Sequence, residues 1–334
     1  MHPINVALRD ITIQDRVKRL YQRAFGPGHH VPDAHQATAR LAEECKHLVP
    51  VPFEELLFEP VGNGLCRMNL RPLVQTGLPL EVAAAMFIQT ANTFQAQPEI
   101  FEAKLDGLAR TPEDRAWIEA YKAGQSPALS HSEAYHAAYH PAYRVIREDY
   151  ARAFPVILRM AQMQQGIIAI DGPCASGKST LAQLLGDLFS VTVLHLDDFF
   201  LRPEQRTPER LAEPGGNFDR ERFVAEALAP LAQGKPFTFR PYNCAHQVLA
   251  DPVSVVPTPV SIVEGVYCQH PDLRDAYALR TFLTIDPQLQ QERLLARNGE
   301  VLLKRFIAEW IPMENRYFEA FDVQAHSDIV LAEA

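Results

Sequence analysis

Tryptophan and cysteine are scarce in this chain of 334 residues, with two of the former and five of the latter. Cys45, Cys66, Cys174, Cys244 and Cys268 are dispersed, odd in number and lack any C-x-x-C spacing. That excludes a disulfide framework or a cysteine-rich zinc site as the organising feature and fits reduced thiols. No apolar run approaches the ~20 residues that a membrane-crossing helix requires. The opening stretch MHPINVALRDITIQD has no charged segment followed by an apolar run, so no signal peptide is expected. A basic surplus is also missing. Lys and Arg number 32 against 41 Asp and Glu, a net charge of −9. A general nucleic-acid or anionic-membrane binder would show a basic face instead. The expectation is a cytoplasmic protein without nucleic-acid or membrane partners, with homo-oligomerisation left open.

What is present suits a two-domain globular chain. Hydrophobic residues make up 47% and charged residues 22%, ordinary values for a packed protein. The length exceeds the ~250–300 residues at which single cores stop growing. The polar stretch MAQMQQ, Met160 to Gln165, sets the expected boundary, dividing residues 1–163 from 164–334.

Periodicity predicts a mainly helical first domain with no internal repeat. Helices are expected over Ile11–Phe25, from an Asp33 N-cap to about Leu48, and over Leu80–Phe94, Glu99–Leu108 and Pro112–Ala123. A last helix is expected from near Pro141 towards Gln164, kinked or divided at Pro155. Leu56–Leu70 predicts a hairpin turning at Asn63-Gly64. Two histidine groups stand out: His29, His30 and His35, and then His131, His136 and His140 interleaved with Tyr135, Tyr139 and Tyr143. Their spacing matches no standard zinc pattern, and packing with hydrogen-bonded loop histidines is the preferred reading over a metal, anion or substrate site.

The second domain carries the chemistry. Gly166–Thr180 reads as a buried strand, a glycine-bounded loop and a helix start, with Gly172–Ser179 matching G-x-x-x-x-G-K-[ST]. Small residues (Gly172, Ala175, Ser176, Gly177) let backbone N–H groups close around phosphate oxygens at a helix N-terminus. Lys178 supplies a mobile cation for β- and γ-phosphates, the Ser179 hydroxyl can ligate Mg²⁺, and Thr180 follows in the first turn. A strand over Val191–Leu196 delivers Asp197-Asp198 to its C-terminal end, where open α/β sheets place ligands. A carboxylate there can accept a hydroxyl proton or hold water on Mg²⁺. Leu201–Asp219 is expected to be a mobile loop, followed by a helix over Arg220–Gln233. Val260–Val263 should be a strand delivering Glu264 to the same sheet edge. A further strand, Thr281–Ile285, precedes a helix bearing Arg293 and Arg297 on one face. Positioned arginines stabilise a transferring phosphoryl group, and this helix is expected to act as a lid. With Asp328–Leu331 as the last strand, the alternation implies a parallel sheet with helices on both faces.

The order GPCASGKST, HLDDFF, NFD, GKPF, RPYNCAH, IVEGVY, RLLAR and WIPMENRYFE…SDIVL resembles the uridine kinase family of P-loop kinases over roughly residues 166–332. The resemblance implies a P-loop kinase fold using ATP and Mg²⁺ on a small-molecule hydroxyl. It assigns Asp197 as general base, Asp219 to ribose hydroxyls, Tyr242 and His246, with Arg240 nearby, to the acceptor, and Arg293 and Arg297 to the lid. Ser179, Glu264 and Asp197 would lie at the metal. DDFF and RPYN depart from the tyrosine and tyrosine-aspartate positions of many relatives, and these departures bear on the acceptor rather than on phosphotransfer. A kinase for a sugar or vitamin precursor, and a nucleotide-binding switch, remain the alternatives. Residues 1–160 carry no such resemblance.

Overall fold

The computed structural model describes residues 12–27, 33–124 and 129–332. The chain divides into two compact units, Met1–Phe154 and Pro155–Ala334. The division falls inside the helix Glu148–Ala161, at the Pro155 that this helix contains.

The first unit surrounds a three-stranded antiparallel sheet with the order β1 (Phe58–Gly62), β2 (Leu65–Asn69), β3 (Tyr143–Arg147). Asn63 and Gly64 both take positive φ, 59° and 69°, which a two-residue hairpin of this hand requires. The helix Ile13–Phe25 starts at Thr12, whose side chain and that of Asp15 cap each other's backbone. Asp33 caps Ala34–Lys46, and Pro112–Ala123 begins at its own Thr111–Asp114 capping box. One expectation fails. The segment after Pro141 opens as β3 rather than as a helix, and the helix begins only at Glu148. Tyr143, Val145 and Ile146 suit a pleated surface, and β2 would otherwise carry an open edge, so pairing overrides the local helical pattern. A short helix, Glu133–Tyr139, precedes the strand, so the Tyr135, Tyr139 and Tyr143 stripe is shared between helix and strand.

The second unit holds a five-stranded parallel sheet, order β12-β11-β4-β10-β5. Its strands are β4 (Gly166–Asp171), β5 (Thr192–His195), β10 (Val260–Glu264), β11 (Leu279–Thr284) and β12 (Ile329–Ala332). Two small antiparallel pairs lie between β5 and β10 in sequence: β6 (Phe237–Phe239) with β9 (Val253–Val255), and β7 (Tyr242–Asn243) with β8 (Val248–Leu249). β4 is buried from Ile167 to Asp171, as a central strand covered on both faces must be. Ile167, Ala169 and Val263 join a core with Phe199, Phe218, Phe223 and Phe239, and the helix Lys178–Phe189 packs on β4, β5 and β10.

The segment after β5 is not a bare loop. It contains a 3-10 turn at Pro203–Gln205 and a helix at Pro208–Ala212. Arg210 ties it down by donating to the carbonyls of Gly216 and Phe218 and to the Glu221 carboxylate. The helix bearing Arg293 runs from Pro287 to Arg305 but bends at Gly299, where φ is 74° and ψ 172°. Among the described residues no helix is long and apolar enough to cross a membrane.

Candidate active site

Because β4, β5 and β10 run parallel, their C-terminal ends bring Asp171, His195 and Glu264 to one edge. The phosphate loop starts there. Gly172 has φ 143°, and a Cβ on it would stand 2.4 Å from the Leu283 carbonyl oxygen, so no other residue fits without moving β11. Ala175 also takes a left-handed φ of 61°, and Gly177 precedes the helix that begins at Lys178. The Lys178 ammonium donates to the Gly172 and Pro173 carbonyls, both at 2.9 Å. Ser176 is fully buried, and its hydroxyl has no hydrogen-bond partner among the described residues. Such an orphan is costly, and an oxyanion in the loop would satisfy it. Thr180 is exposed in the first helical turn.

Glu264 receives two donors on one oxygen, the Ser179 hydroxyl at 3.0 Å and His195 Nδ1 at 2.5 Å. That bond, with the negative charge of Glu264 behind it, raises His195 above the ordinary imidazole value. Asp197 retains solvent access, although neighbouring protein removes much of the water around its carboxyl. Loss of surrounding water pushes its carboxyl up; Lys178 opposes the shift and Glu264 adds to it, while Arg297 of the Pro287–Arg305 helix also opposes it. Burial likewise raises Asp171, Asp198 and Glu314. Among the described residues no cluster of His, Cys, Asp or Glu forms a metal cage by itself. A hydroxyl beside a carboxylate, with further carboxylates short of positive charge, nevertheless fits Mg²⁺, which keeps waters and shares phosphate oxygens.

Several groups holding the loop were not read from the sequence. Asp171 accepts from the Gly172 amide at 2.7 Å, the Gln269 amide at 2.9 Å and the Tyr317 hydroxyl at 2.8 Å. The Cys174 amide donates to the buried Glu314 at 2.8 Å, and Gln290 donates to the Cys174 carbonyl at 2.9 Å. Burial and the neighbouring Glu314 push the Cys174 thiol up to about 12, which leaves it unreactive at neutral pH. Only Asp171, just before the motif, had a sequence signal available, as a polar residue ending an apolar strand. Arg293 donates to the Ala175 carbonyl at 3.2 Å, so both arginines of this helix address the site, one by a bond and one through its charge on Asp197.

The residues expected at an acceptor divide. The turn holding Asp197 packs against β7, and Asp197 and Asp198 both help burial raise the Cys244 thiol. The hairpin carrying Tyr242 and His246 therefore borders the site. Tyr242 is buried, its hydroxyl accepting from Arg206 at 3.0 Å, and His246 is exposed. Arg240 donates to the Leu249 and Ala250 carbonyls, both at 2.8 Å, bracing the hairpin. Asp219 is buried and caps the following helix through Arg222 N, while its other oxygen accepts from Gln205 at 2.9 Å. In the first unit, His131 is buried among polar side chains, and His29 and His30 lie outside the described residues.

No family model matches the chain, and no curated protein matches it. Solved structures similar to it include a suggested uridine kinase from Bacillus stearothermophilus, 19% identical, TM-score 0.44, covering 55% of this chain and 99% of its own. A suggested fructose transport system kinase from a Silicibacter species is 23% identical, TM-score 0.45, over 54% and 97%. Shikimate kinase from Bacteroides thetaiotaomicron is 15% identical, TM-score 0.26, over 49% and 84%. The α/β class itself rests on the parallel strand order and the loop at its edge.

Proposed function

We propose that the chain is a cytoplasmic, ATP-dependent kinase acting on a hydroxyl of a small molecule, with a uridine- or cytidine-like nucleoside as the first acceptor to test. The observation that supports this best is the meeting of three things at one sheet edge: a loop with an orphaned hydroxyl, the Ser179–Glu264 pair, and the accessible carboxylate of Asp197.

In this mechanism Lys178 leaves the Gly172 and Pro173 carbonyls and bonds the β- and γ-phosphates within the ring of loop amides. Bound through Ser179, Glu264 and Asp197, Mg²⁺ would neutralise charge on the phosphate oxygens. Asp197 accepts the proton of the attacking hydroxyl, and its raised pKa makes it a stronger base than an ordinary carboxylate. Arg293 and Arg297 neutralise the transferring group from the lid helix. Positioning and electrostatics supply most of the acceleration in this class of reaction.

His246, exposed on the hairpin, would contact the acceptor, and Tyr242, buried with its hydroxyl bonded to Arg206, would reach it only once that bond opens. Of the residues assigned to the acceptor, Asp219 has both carboxylate oxygens engaged, and Arg240 already spends Nε and Nη2 on the hairpin carbonyls. That engagement of Asp219 favours a second reading, a kinase for a sugar or vitamin precursor that needs no grip on a ribose. Incubation with ATP, Mg²⁺ and a panel of nucleosides, sugars and vitamin precursors, followed by ADP release, separates the readings. Acceptor-dependent ADP is expected. Nucleotide binding with no acceptor-dependent turnover would overturn the kinase in favour of an ATP-responsive switch.

A further inference from the structure

The kinase mechanism draws on Ser179 and Glu264 but leaves the third member of that cluster, His195, without a task. His195 closes β5 and Glu264 closes β10, and the two are register partners on adjacent parallel strands. Side chains alternate between the faces of a strand, so His195 shares its face with Val193. A Cβ placed on Gly186 would stand 3.3 Å from Val193 Cγ2, which puts this face of β5 under the helix Lys178–Phe189. Ser179 lies in the first turn of that helix. A histidine, a glutamate and a serine hydroxyl therefore meet at one point from separate elements.

The bonds at that point are uneven. The Ser179 hydroxyl donates to Glu264 Oε1 at 3.0 Å, and His195 Nδ1 donates to the same oxygen at 2.5 Å. A carboxylate oxygen can only accept, so Nδ1 carries the proton. Oε2 has no donor among the described residues. The Glu264 side chain is 6% exposed, against 51% for His195. An ion pair with one partner so exposed contributes little to folding. Stability alone does not account for the histidine.

Its effect is on direction. The terminal torsion of a glutamate is broad and roughly two-fold, so one donor leaves the carboxylate free to turn and exchange its oxygens. Two donors from different elements on Oε1 fix its plane. The serine hydroxyl has one proton and two lone pairs. With the proton committed to a fixed Oε1, the lone pairs stay available for a cation. We propose that His195 is a positioning residue: by gripping Oε1 it locks Glu264, orients the Ser179 hydroxyl, and leaves Oε2 and the serine lone pairs ready for nucleotide-bound Mg²⁺. This inference rests on the nucleotide-binding reading above and adds a residue that lies outside the phosphate loop.

The test titrates Mg²⁺ into the full chain at saturating ATP, without acceptor, and follows the melting temperature, so it reads binding rather than turnover. His195→Ala should raise the Mg²⁺ concentration at half-effect by about tenfold, the usual size when a group behind a metal ligand is lost. His195→Asn, whose side-chain amide can replace the Nδ1 donor, should stay within about threefold of the unaltered chain. Calorimetric ATP affinity in EDTA should be the same in all three, which separates a loosened metal site from a damaged phosphate loop. An unchanged Mg²⁺ requirement in His195→Ala overturns the proposal and leaves nucleotide binding standing. So does an equal rise in His195→Asn, or an affinity in EDTA that falls in step. If ATP binds none of the three proteins, the nucleotide reading falls and this inference falls with it.

Discussion

Two carboxylates, one in each unit, show opposite ways of placing an acid inside a protein. Asp15 is fully buried, and burial alone would raise its pKa. Bonds from the Ser132 amide and hydroxyl, Thr12 and His131 outweigh that and hold it below the ordinary 3.8. Asp197 lacks such bonds; loss of surrounding water raises it, with Glu264 adding to the shift and Lys178, His195 and Arg297 only partly opposing it. A carboxylate surrounded by fixed donors is finished as a structural element. One held short of donors has capacity left for a proton, a cation or a substrate, which is the condition expected at a reaction centre.

The comparison breaks most visibly at the sheet edge. Lys178→Ala should reduce kcat/KM by about 10³ or more, and Asp197→Asn by about 10²–10⁴ with ATP affinity nearly unchanged. Turnover and equilibrium ATP binding measured side by side check both. Near-normal turnover in Asp197→Asn would remove it as the base.

In the other unit the same kind of change should act on folding. Asp15→Ala strands the donors of Ser132, His131 and Thr12, at a cost of about 3 kcal/mol in denaturant unfolding. The sign with pH follows from the lowered pKa. The stabilisation from Asp15 is present above its unfolded value and is lost as pH falls through the folded one. Asp197 behaves in reverse: its raised pKa favours the fold below the unfolded value, and that contribution is lost as pH rises through the folded one. For catalysis it must be ionised, so the acid limb of kcat/KM should lie above the ordinary carboxylate value. The smallest effect is expected at Arg240→Ala, which loosens the hairpin but should change kcat less than about threefold.

The sequence made the second unit legible because its chemistry is local. A loop, strand ends and a helix face each occupy a few consecutive residues, so Lys178, Ser179, Asp197 and Glu264 could be placed before their neighbours were known. Glu314, Gln290 and Tyr317 could not, since each reaches the loop across more than a hundred residues. Likewise Tyr143–Arg147 looked helical because only its partner β2 makes it a strand. The hydrogen bonds joining Asp15, His131 and Tyr143 were invisible for the same reason, their members being scattered between residues 15 and 143. Asp219 and Arg240 show the converse. Resemblance placed them at the acceptor, and only coordinates show that both Asp219 oxygens and two Arg240 nitrogens are already engaged.

The bonds to Asp171 and Cys174 carry a consequence for synthesis. The phosphate loop lies at mid-chain, but Gln269, Gln290, Glu314 and Tyr317 hold it in shape. During translation the whole of GPCASGKST leaves the ribosome well before those four residues exist. A nascent chain or a fragment ending before Glu314 would contain the complete motif and still lack the contacts that fix it. Nucleotide, if it binds the loop, should therefore raise the melting temperature only of a chain extended through Tyr317, and not of a fragment that ends before Glu314.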